Sequence, residues 1–359
     1  MKMKKAPVIR KPIKPALKME LNNNLIVPFA KQAGLTSFAS MSAVKKALST
    51  KKVGHTGTLD LFADGLLVLL TGQLTRLADI ISAEKKTYEA WVEFGTETDT
   101  LDPEGEPVLI APLPSYKNLA ESIPSFLGKI LQRPPEFSAI KINGKRASDR
   151  MRSGEKIEIA ERGIEIFKIE LKGIITDSGL EFNEGDFTNI NAELKIRYAH
   201  IVVECSKGTY IRSLVRDLAR KASSCAYVSA LRRTAVGNFK LEDAAGFALL
   251  NDFSTAPEKF YKQKEIASSE ITEKAFSFSP KTAENLKLTY LFLDRKYLND
   301  FYNGKKIKFN WFLNTDEVLE NIIASNLENK KICVFCDKLW SGIIVINKNY
   351  LKYETVVKN

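Results

Sequence analysis

The apolar residues of this chain fall into short runs, each about as long as one β-strand. Residues 65–70 are uniformly apolar after the first glycine, whereas residues 88–95 alternate large and polar side chains. A uniform run is typical of a strand buried on both faces, and an alternating run of a strand with one face in the core. Helical spacing appears at residues 38–48, 115–130 and 209–221, without a regular strand–helix–strand repeat. The pattern predicts an α+β fold rather than a doubly wound parallel sheet.

The length of 359 residues and a change in composition after about residue 241 predict more than one folded unit. We predict a basic leader over residues 1–20, a main domain over 21–245, a linker over 246–284 and a small β-rich domain over 285–359. No apolar run approaches the roughly 20 residues that span a bilayer, so no membrane association is expected. Four cysteines are too few for a disulfide framework in such a chain, which favours the reducing cytoplasm.

The formal net charge of +11 is concentrated in the leader. Residues 1–20 contain seven Lys and Arg residues against one acid, Glu20. Pro7, Pro12 and Pro15 lie among these basic residues, so no stable helix is expected there. The leader fits an RNA-attracting arm and a solubilising tail equally well. The rest of the chain is only mildly basic, so a nucleic-acid partner must be argued from where its charges lie.

A glycine-rich loop that ends in one carboxylate is the segment best suited to chemistry. Its sequence is Gly54-His55-Thr56-Gly57-Thr58-Leu59-Asp60. The two glycines permit a tight turn and a close approach to a ligand. Asp60 comes just before the apolar run 65–70, where a carboxylate can be held rigid and partly desolvated if a cation lies opposite it. Taken alone, an aspartate at the end of a glycine turn is more often a cap or turn residue.

This loop resembles the signature of the TruB family, the bacterial tRNA pseudouridine-55 synthases. Further segments resemble motifs of the family in the same order, namely residues 85–88, 94–100, 134–146, 205–212 and 229–237. The chain departs from the family pattern at residues 29–37, which lack a usual proline. It also departs at Asp64, where a close approach of this second carboxylate to Asp60 would couple the two titrations.

The resemblance implies a pseudouridine synthase fold, with a mixed, mostly antiparallel sheet and a central RNA-binding cleft into which the target uridine is flipped. A small C-terminal β-rich, PUA-like RNA-binding module would follow. The resemblance also implies that Asp60 is the catalytic carboxylate, that Tyr88 stacks on the base and assists proton transfer, and that Arg212 pairs with Asp60. The residues expected to bind the substrate are His55, as a wedge into the RNA loop, Tyr210, Leu231, Lys141, Asp99 and Thr58.

The residue types fit such a reaction. Flipping a base costs a few kcal/mol of stacking, and aromatic side chains such as Tyr88 and Tyr210 offer replacement surfaces. A neutral pyrimidine needs no metal or redox cofactor to be detached and rejoined through carbon, so no cofactor is expected. The two histidines, His55 and His200, lack the further ligands of a metal site. Whether Asp60 attacks the sugar, attacks the base or abstracts a proton stays open.

Basic residues are placed to contact the RNA backbone. The helix after Tyr210 carries Arg212, Arg216 and Arg220 on one face. We expect Arg212 to point into the cleft and Arg220 to be a solvated surface residue. The residues expected to contact phosphates are Lys145, Arg146, Arg150, Arg152 and Arg232.

The function predicted is isomerisation of a uridine in the T-arm stem-loop of tRNA, by a monomer that needs no protein partner. One alternative is a synthase that acts on another RNA, such as ribosomal RNA. A second alternative is an RNA-binding chaperone that helps tRNA to fold.

Overall fold

The computed structural model describes residues 24–138, 141–142, 145–146, 155, 159–255, 263–315, 330–347 and 350–358. The strands of this part are, in chain order, β1 (Leu25–Lys31), β2 (Val53–His55), β3 (Asp64–Thr71), β4 (Lys86–Phe94), β5 (Thr96–Thr98), β6 (Pro107–Ile110), β7 (Gly128–Gln132), β8 (Lys141–Ile142), β9 (Lys145–Arg146), β10 (Arg162–Thr176), β11 (Glu181–Asn183), β12 (Ile196–Cys205), β13 (Ala226–Val236), β14 (Phe239–Lys240), β15 (Phe276–Ser277), β16 (Tyr290–Phe292), β17 (Lys331–Cys336), β18 (Leu339–Asn347) and β19 (Tyr350–Val356).

The α-helices are short. They are α1 (Ser37–Ala47), α2 (Ala78–Ile81), α3 (Tyr116–Ser122), α4 (Ile211–Lys221), α5 (Ser268–Lys274), α6 (Pro280–Asn285) and α7 (Leu298–Tyr302). Short 3₁₀ helices occur at Gly72–Leu77, Ile123–Phe126, Glu184–Asn189, Leu241–Asp243, Phe247–Leu249, Arg295–Tyr297 and Phe309–Trp311. No helix in the described part of the chain is long and apolar enough to cross a membrane.

One large sheet organises the main domain. Its strands run in the order β11-β10-β12-β4-β13-β3-β1-β15, with β7 paired to β10, β2 to β3 and β14 to β13. Every pairing in this sheet is antiparallel except that of β13 with β3, which is parallel. The predicted α+β class and mixed, mostly antiparallel sheet are therefore confirmed.

The two strand patterns of the sequence are buried as expected. The uniform run in β3 is covered on both sides, because Leu66, Val68 and Leu70 belong to one core cluster while Leu67 and Leu69 belong to another. The alternating strand β4 instead buries one face completely and leaves the other half-buried. Helix α4 packs its apolar stripe in the same core cluster as the buried face of β4. This packing fixes the helix N-terminus beside the central strands.

The helix predicted over residues 115–130 is wrong in its second half. Helix α3 begins after Ser115, whose side chain accepts a hydrogen bond from the backbone N–H of Asn118. It ends at Ser122, and a 3₁₀ turn that contains Pro124 follows. Proline has no N–H to continue the helical ladder. Gly128 then adopts φ +84° and starts the edge strand β7.

The C-terminal residues form a second, four-stranded sheet in the order β16-β17-β18-β19. This β-rich module shares a buried cluster with the main sheet, since Phe335 and Trp340 belong to the same cluster as Ile26 and Leu70. In the region predicted as a linker, β15 pairs with β1, and Phe278 packs its ring 5.8 Å from that of Trp340. The described residues of that region are thus part of the packed structure. The domain boundaries stay a prediction.

Candidate active site

A cavity of about 320 Å³ opens where the loop between β2 and β3 meets strands β4 and β13 and the N-terminus of α4. Six residues predicted from the sequence line it, namely Thr58, Asp60, Tyr88, Tyr210, Arg212 and Leu231. They come from segments up to 173 positions apart in sequence, from Thr58 to Leu231. The structure therefore brings together all three predicted catalytic residues and three of the six predicted substrate-binding residues.

Asp60 and Arg212 form an ion pair at one end of this cavity. Nη2 of Arg212 donates to Oδ1 of Asp60 at 3.0 Å. Nε lies 2.9 Å from Oδ2, a close charge contact whose geometry falls short of a hydrogen bond. The Arg212 side chain is 5% exposed and that of Asp60 is 35% exposed. Arginine stays charged at any ordinary pH, so the contact orients a carboxylate that still reaches the open cavity.

A second carboxylate, that of Asp102, also pairs with the guanidinium group of Arg212. Nη1 of Arg212 lies 3.0 Å from Oδ2 of Asp102 and donates to the carbonyl of Thr100 at 2.7 Å. Asp102 is buried, and its Oδ1 accepts from Oγ1 of Thr100 at 2.6 Å and from the backbone N–H of Glu104 at 3.0 Å. Burial raises the pKa of Asp102, and the charge of Arg212 opposes that rise. The unit is thus Asp102–Arg212–Asp60.

Asp102 was missed in the sequence, where Asp99 was selected instead. Asp99 does not line the cavity. Its Oδ1 accepts from the backbone N–H of Glu106 at 3.0 Å, which is the role of a turn residue. The two aspartates lie in one turn three positions apart, and their spacing alone does not tell which of them faces Arg212.

The loop that carries Asp60 is fastened from two sides. Oγ of Ser37 accepts from the backbone N–H of Leu59 at 3.0 Å. On the other side Arg233, 1% exposed, donates from Nε to the carbonyl of Leu66 at 2.8 Å and from Nη2 to that of Gly57 at 3.1 Å. Gly57 has φ +146°, a conformation that glycine adopts without strain. The loop is therefore rigidly placed beneath the cavity.

Two tyrosines supply aromatic surface. Tyr88 lies opposite Arg233 in the β4–β13 pair, and burial raises the pKa of its hydroxyl, against the influence of Arg233. The backbone of Tyr210 is clamped by the buried Gln132, whose Oε1 accepts from its N–H at 2.9 Å and whose Nε2 donates to its carbonyl at 3.1 Å. Burial also raises the pKa of Tyr210. Both phenols are thus neutral donors at physiological pH.

His55 is placed beside the cavity rather than in its lining. It ends strand β2, and its Nδ1 accepts from the backbone N–H of Gly57 at 3.3 Å. Burial lowers the pKa of His55, so the imidazole is neutral at pH 7. In the described residues no group of three or more His, Cys, Asp and Glu side chains is arranged to hold a metal ion.

The basic residues predicted to contact the RNA, either at the substrate or at its phosphates, have different placements. Lys141, Lys145 and Arg146 belong to the two-stranded hairpin β8–β9. Arg150 and Arg152 lie outside the described residues.

Arg232 does not line the cavity and instead forms an ion pair with the carboxylate of Asp64. Its Nε and Nη2 lie 2.8 Å and 2.6 Å from the two oxygens of Asp64. This placement gives no support to a phosphate contact by Arg232. The same pair accounts for the departure from the family pattern at Asp64, because the positive charge of Arg232 balances the negative charge of this carboxylate. As expected, Arg220 is a surface residue, and it pairs with Glu97 at 2.8 Å.

Three further cations that sequence reasoning did not select line the cavity, namely Lys86, Lys207 and Arg233. Arg233 is adjacent to the predicted residue Arg232, and Lys86 lies two positions before the predicted residue Tyr88. Neighbouring residues of a strand face opposite sides, so a one-position difference decides which side chain enters the cavity. The alternation of β4 was the available signal for Lys86, because it shares the parity of Tyr88.

Comparison with known proteins decides the family. The family profile described as TruB family pseudouridylate synthase (N terminal domain) matches residues 45–211. The protein named tRNA pseudouridine synthase B of Treponema denticola is 86% identical over 357 residues, which cover 95% of this chain and 100% of that protein. This chain belongs to the TruB family. The TruB protein named tRNA pseudouridine synthase B of Treponema pallidum, strain Nichols, is 36% identical and covers 92% of this chain and 96% of its own length.

Solved structures agree with the TruB assignment at the level of the fold. An H/ACA RNP bound to a substrate RNA containing 2′-deoxyuridine matches with a TM-score of 0.57 and 16% identity, over 94% of this chain and 86% of that one. A Cbf5-Nop10-Gar1 complex matches with a TM-score of 0.57 and 18% identity, over 94% and 84%. The predicted pseudouridine synthase fold is confirmed.

Proposed function

We propose that this chain is a tRNA pseudouridine synthase that isomerises one uridine in the T-arm loop, with Asp60 as the catalytic carboxylate. The observation that carries the proposal is the Asp60–Arg212 pair in a cavity that Tyr88 and Tyr210 also line. The relatives that cover nearly the whole chain bear the name tRNA pseudouridine synthase B, which supports tRNA as the substrate.

The reaction is an isomerisation and needs no oxidant or reductant. The bond from N1 of uracil to C1′ of the ribose breaks, and a bond from C5 to C1′ forms. C5 loses one proton and N1 gains one, so atoms and charge balance. The carboxylate of Asp60 supplies the nucleophile or base, Tyr88 and Tyr210 offer surfaces for the flipped base, and Leu231 lines the pocket. We propose that the phenol of Tyr88, which lines the same cavity as Asp60, takes part in the proton movement.

Two further parts of the chain are proposed to contribute to binding. We propose that the β8–β9 hairpin contributes Lys141, Lys145 and Arg146 to the RNA backbone, and that the C-terminal β module is a PUA-like RNA-binding unit. We also propose that the protein acts as a monomer in the cytoplasm without a protein partner.

The test is the variant Asp60→Asn, assayed on an unmodified tRNA transcript by chemical mapping of pseudouridine. Asparagine keeps the shape and one acceptor for Arg212 but cannot act as nucleophile or base, so we expect conversion to be abolished. Binding of tRNA should stay within about threefold, a change of less than 1 kcal/mol. Loss of binding by a folded variant would contradict this division of roles.

The native protein decides between the alternatives in the same assay. Binding without conversion of tRNA by the native protein would favour the chaperone. Conversion of ribosomal RNA instead of tRNA would favour a synthase with another substrate.

A further inference from the structure

Two of the cations that line the cavity are buried, and no carboxylate of the described residues forms an ion pair with either of them. Lys86 is 6% exposed and Arg233 is 1% exposed. Among the described residues neither makes an ion pair with an acid, and both donate to backbone carbonyls instead. A buried charge is costly unless it is compensated, and carbonyl dipoles compensate it only in part. The positive charges of Lys86 and Arg233 in the cavity wall are therefore only partly compensated.

The cations converge on one point of the catalytic loop. A Cβ atom added to Gly57 would lie 3.6 Å from Nη1 of Arg233, 4.0 Å from Cε of Lys86 and 4.0 Å from Oγ of Ser82. Exposed Lys207 lines the cavity as well. The cavity wall thus contains a carboxylate, Asp60, and a cationic cluster of Lys86, Lys207 and Arg233.

Lys86 retains donor capacity for a ligand. Its ammonium group donates to the carbonyl of Ser82 at 2.7 Å and to that of Glu84 at 2.6 Å. A lysine has three N–H groups, so one is left without an acceptor in the described part of the chain. Burial, followed by the charge of Arg233, lowers the pKa of Lys86 to about 8. An anion in the cavity would reverse that influence and favour the charged form.

We propose that the cluster of Lys86, Lys207 and Arg233 is a binding site for a phosphodiester group that flanks the target uridine. The inference rests on the proposed function. Uracil is neutral, whereas the ribose that carries it brings a phosphate on each side. A nucleotide whose C1′ lies at Asp60 therefore carries an anion into this cavity, and the cluster is the part of the wall that complements it. Backbone phosphates position RNA on a protein without reading its sequence, so this site fixes the sugar against Asp60.

The experiment pairs a protein change with a neutralised phosphate. The substrate is a T-arm stem-loop RNA in which one phosphodiester, either 5′ or 3′ of the target uridine, is replaced by an uncharged methylphosphonate. Affinity is measured for native protein, Lys86→Gln and Lys207→Gln with each RNA. Lys207 is exposed, so Lys207→Gln is expected to fold even where a substitution at buried Lys86 does not.

If the lysines contact the phosphate directly, the losses of affinity caused by the lysine substitution and by the methylphosphonate should not be additive. Each single change should weaken binding about tenfold, as for one charge-assisted hydrogen bond. Neutralising the contacted phosphate should then cost the lysine variants less than it costs the native protein, because one contact to that phosphate is already lost. The slope of log affinity against log salt should also decrease in magnitude by about 0.7 for the loss of one contact to single-stranded RNA. Lys86→Arg keeps the charge and should retain the response to the methylphosphonate.

Lys31→Gln is the matched control. Lys31 is 0% exposed, its Nζ donates to the carbonyl of Ala63 at 2.6 Å, and burial lowers its pKa to about 8, yet it does not line the cavity. Its substitution should add to the effect of the methylphosphonate without coupling to it.

Additive losses at both phosphates in both lysine variants would overturn the proposed site. Conversion of the unsubstituted stem-loop by native protein tests the proposed function separately. If the native protein does not convert the stem-loop but the lysine substitutions and the methylphosphonate still act non-additively on affinity, the proposed function is rejected and the phosphate site is retained.

Discussion

At the scale of single residues, the orientation of Asp60 depends on a carboxylate that lies outside the cavity lining. Asp102 holds the far side of the Arg212 guanidinium, which holds Asp60. We predict that Asp102→Asn lowers kcat about 100-fold, the typical cost of a small misplacement of a catalytic group. KM should change less than kcat, because Asp102 does not line the cavity. Single-turnover and steady-state kinetics on tRNA measure both values.

Asp99→Asn is the matched control for this prediction. Asp99 lies three positions away and accepts a turn hydrogen bond outside the cavity. Its substitution should reduce kcat far less than Asp102→Asn. The reverse order would mean that Asp99, the residue selected from the sequence, is the one that matters for the reaction.

The sequence predicted which residues belong to the site better than it predicted which way strand side chains face. Asp60, Tyr88, Tyr210, Arg212 and Leu231 were found because motifs set their positions, and the structure places them in one cavity. Arg232 was predicted where Arg233 lines the cavity, because the choice between neighbouring arginines depends on the face of β13 that each occupies, and the register of β13 is set by long-range pairing.

At the scale of elements, the parallel contact between β3 and β13 joins the catalytic loop to the strand that carries Leu231. Gly65 lies opposite Arg233 in this pair and has φ +108°. A Cβ on Gly65 would lie 2.4 Å from the carbonyl oxygen and 2.6 Å from the backbone nitrogen of Arg233. We predict that Gly65→Ala destabilises the protein by about 3 kcal/mol or more, through backbone strain and the forced separation of the strands. Chemical denaturation measures this difference.

Gly163→Ala is the control for an alanine in the sheet. Gly163 lies in β10, and a Cβ there would have no heavy atom within 4 Å. We expect its free energy of unfolding to stay within about 0.5 kcal/mol of the native value. Equal destabilisation by both variants would refute a role for the close approach at Gly65.

Elements with a clear pattern of apolar residues were predictable from the sequence, and the others were not. Strands β3 and β4 and helix α4 follow their apolar patterns, and each was predicted within a few residues. Residues 123–132 carry apolar side chains that suit a helix locally. Pro124 and the pairing of β7 with β10 determine their structure instead. Such pairing depends on a partner 30 to 38 positions away, which a local pattern does not contain.

At the scale of the whole molecule, the C-terminal module is joined to the main sheet through a common core. The buried ring of Trp340 packs 5.8 Å from that of Phe278, and both lie in the cluster that contains Leu70 of β3. Strand β3 begins directly after the catalytic loop. Any loosening of this cluster therefore acts on the element that supports Asp60, and the module and the catalytic domain should unfold together.

We predict that Trp340→Ala lowers the free energy of unfolding by about 3–5 kcal/mol, the cost of emptying a large aromatic site in a core. Unfolding should remain one cooperative transition in which secondary structure and RNA binding are lost at the same denaturant concentration. Leu339→Ala is the neighbouring control, because Leu339 is 54% exposed and its removal should cost little. If Trp340→Ala instead produced an early transition that left binding of a T-arm stem-loop intact, the shared cluster would not couple the two units. The catalytic sheet would then be stable without the module, whose contribution would be confined to contacts with RNA.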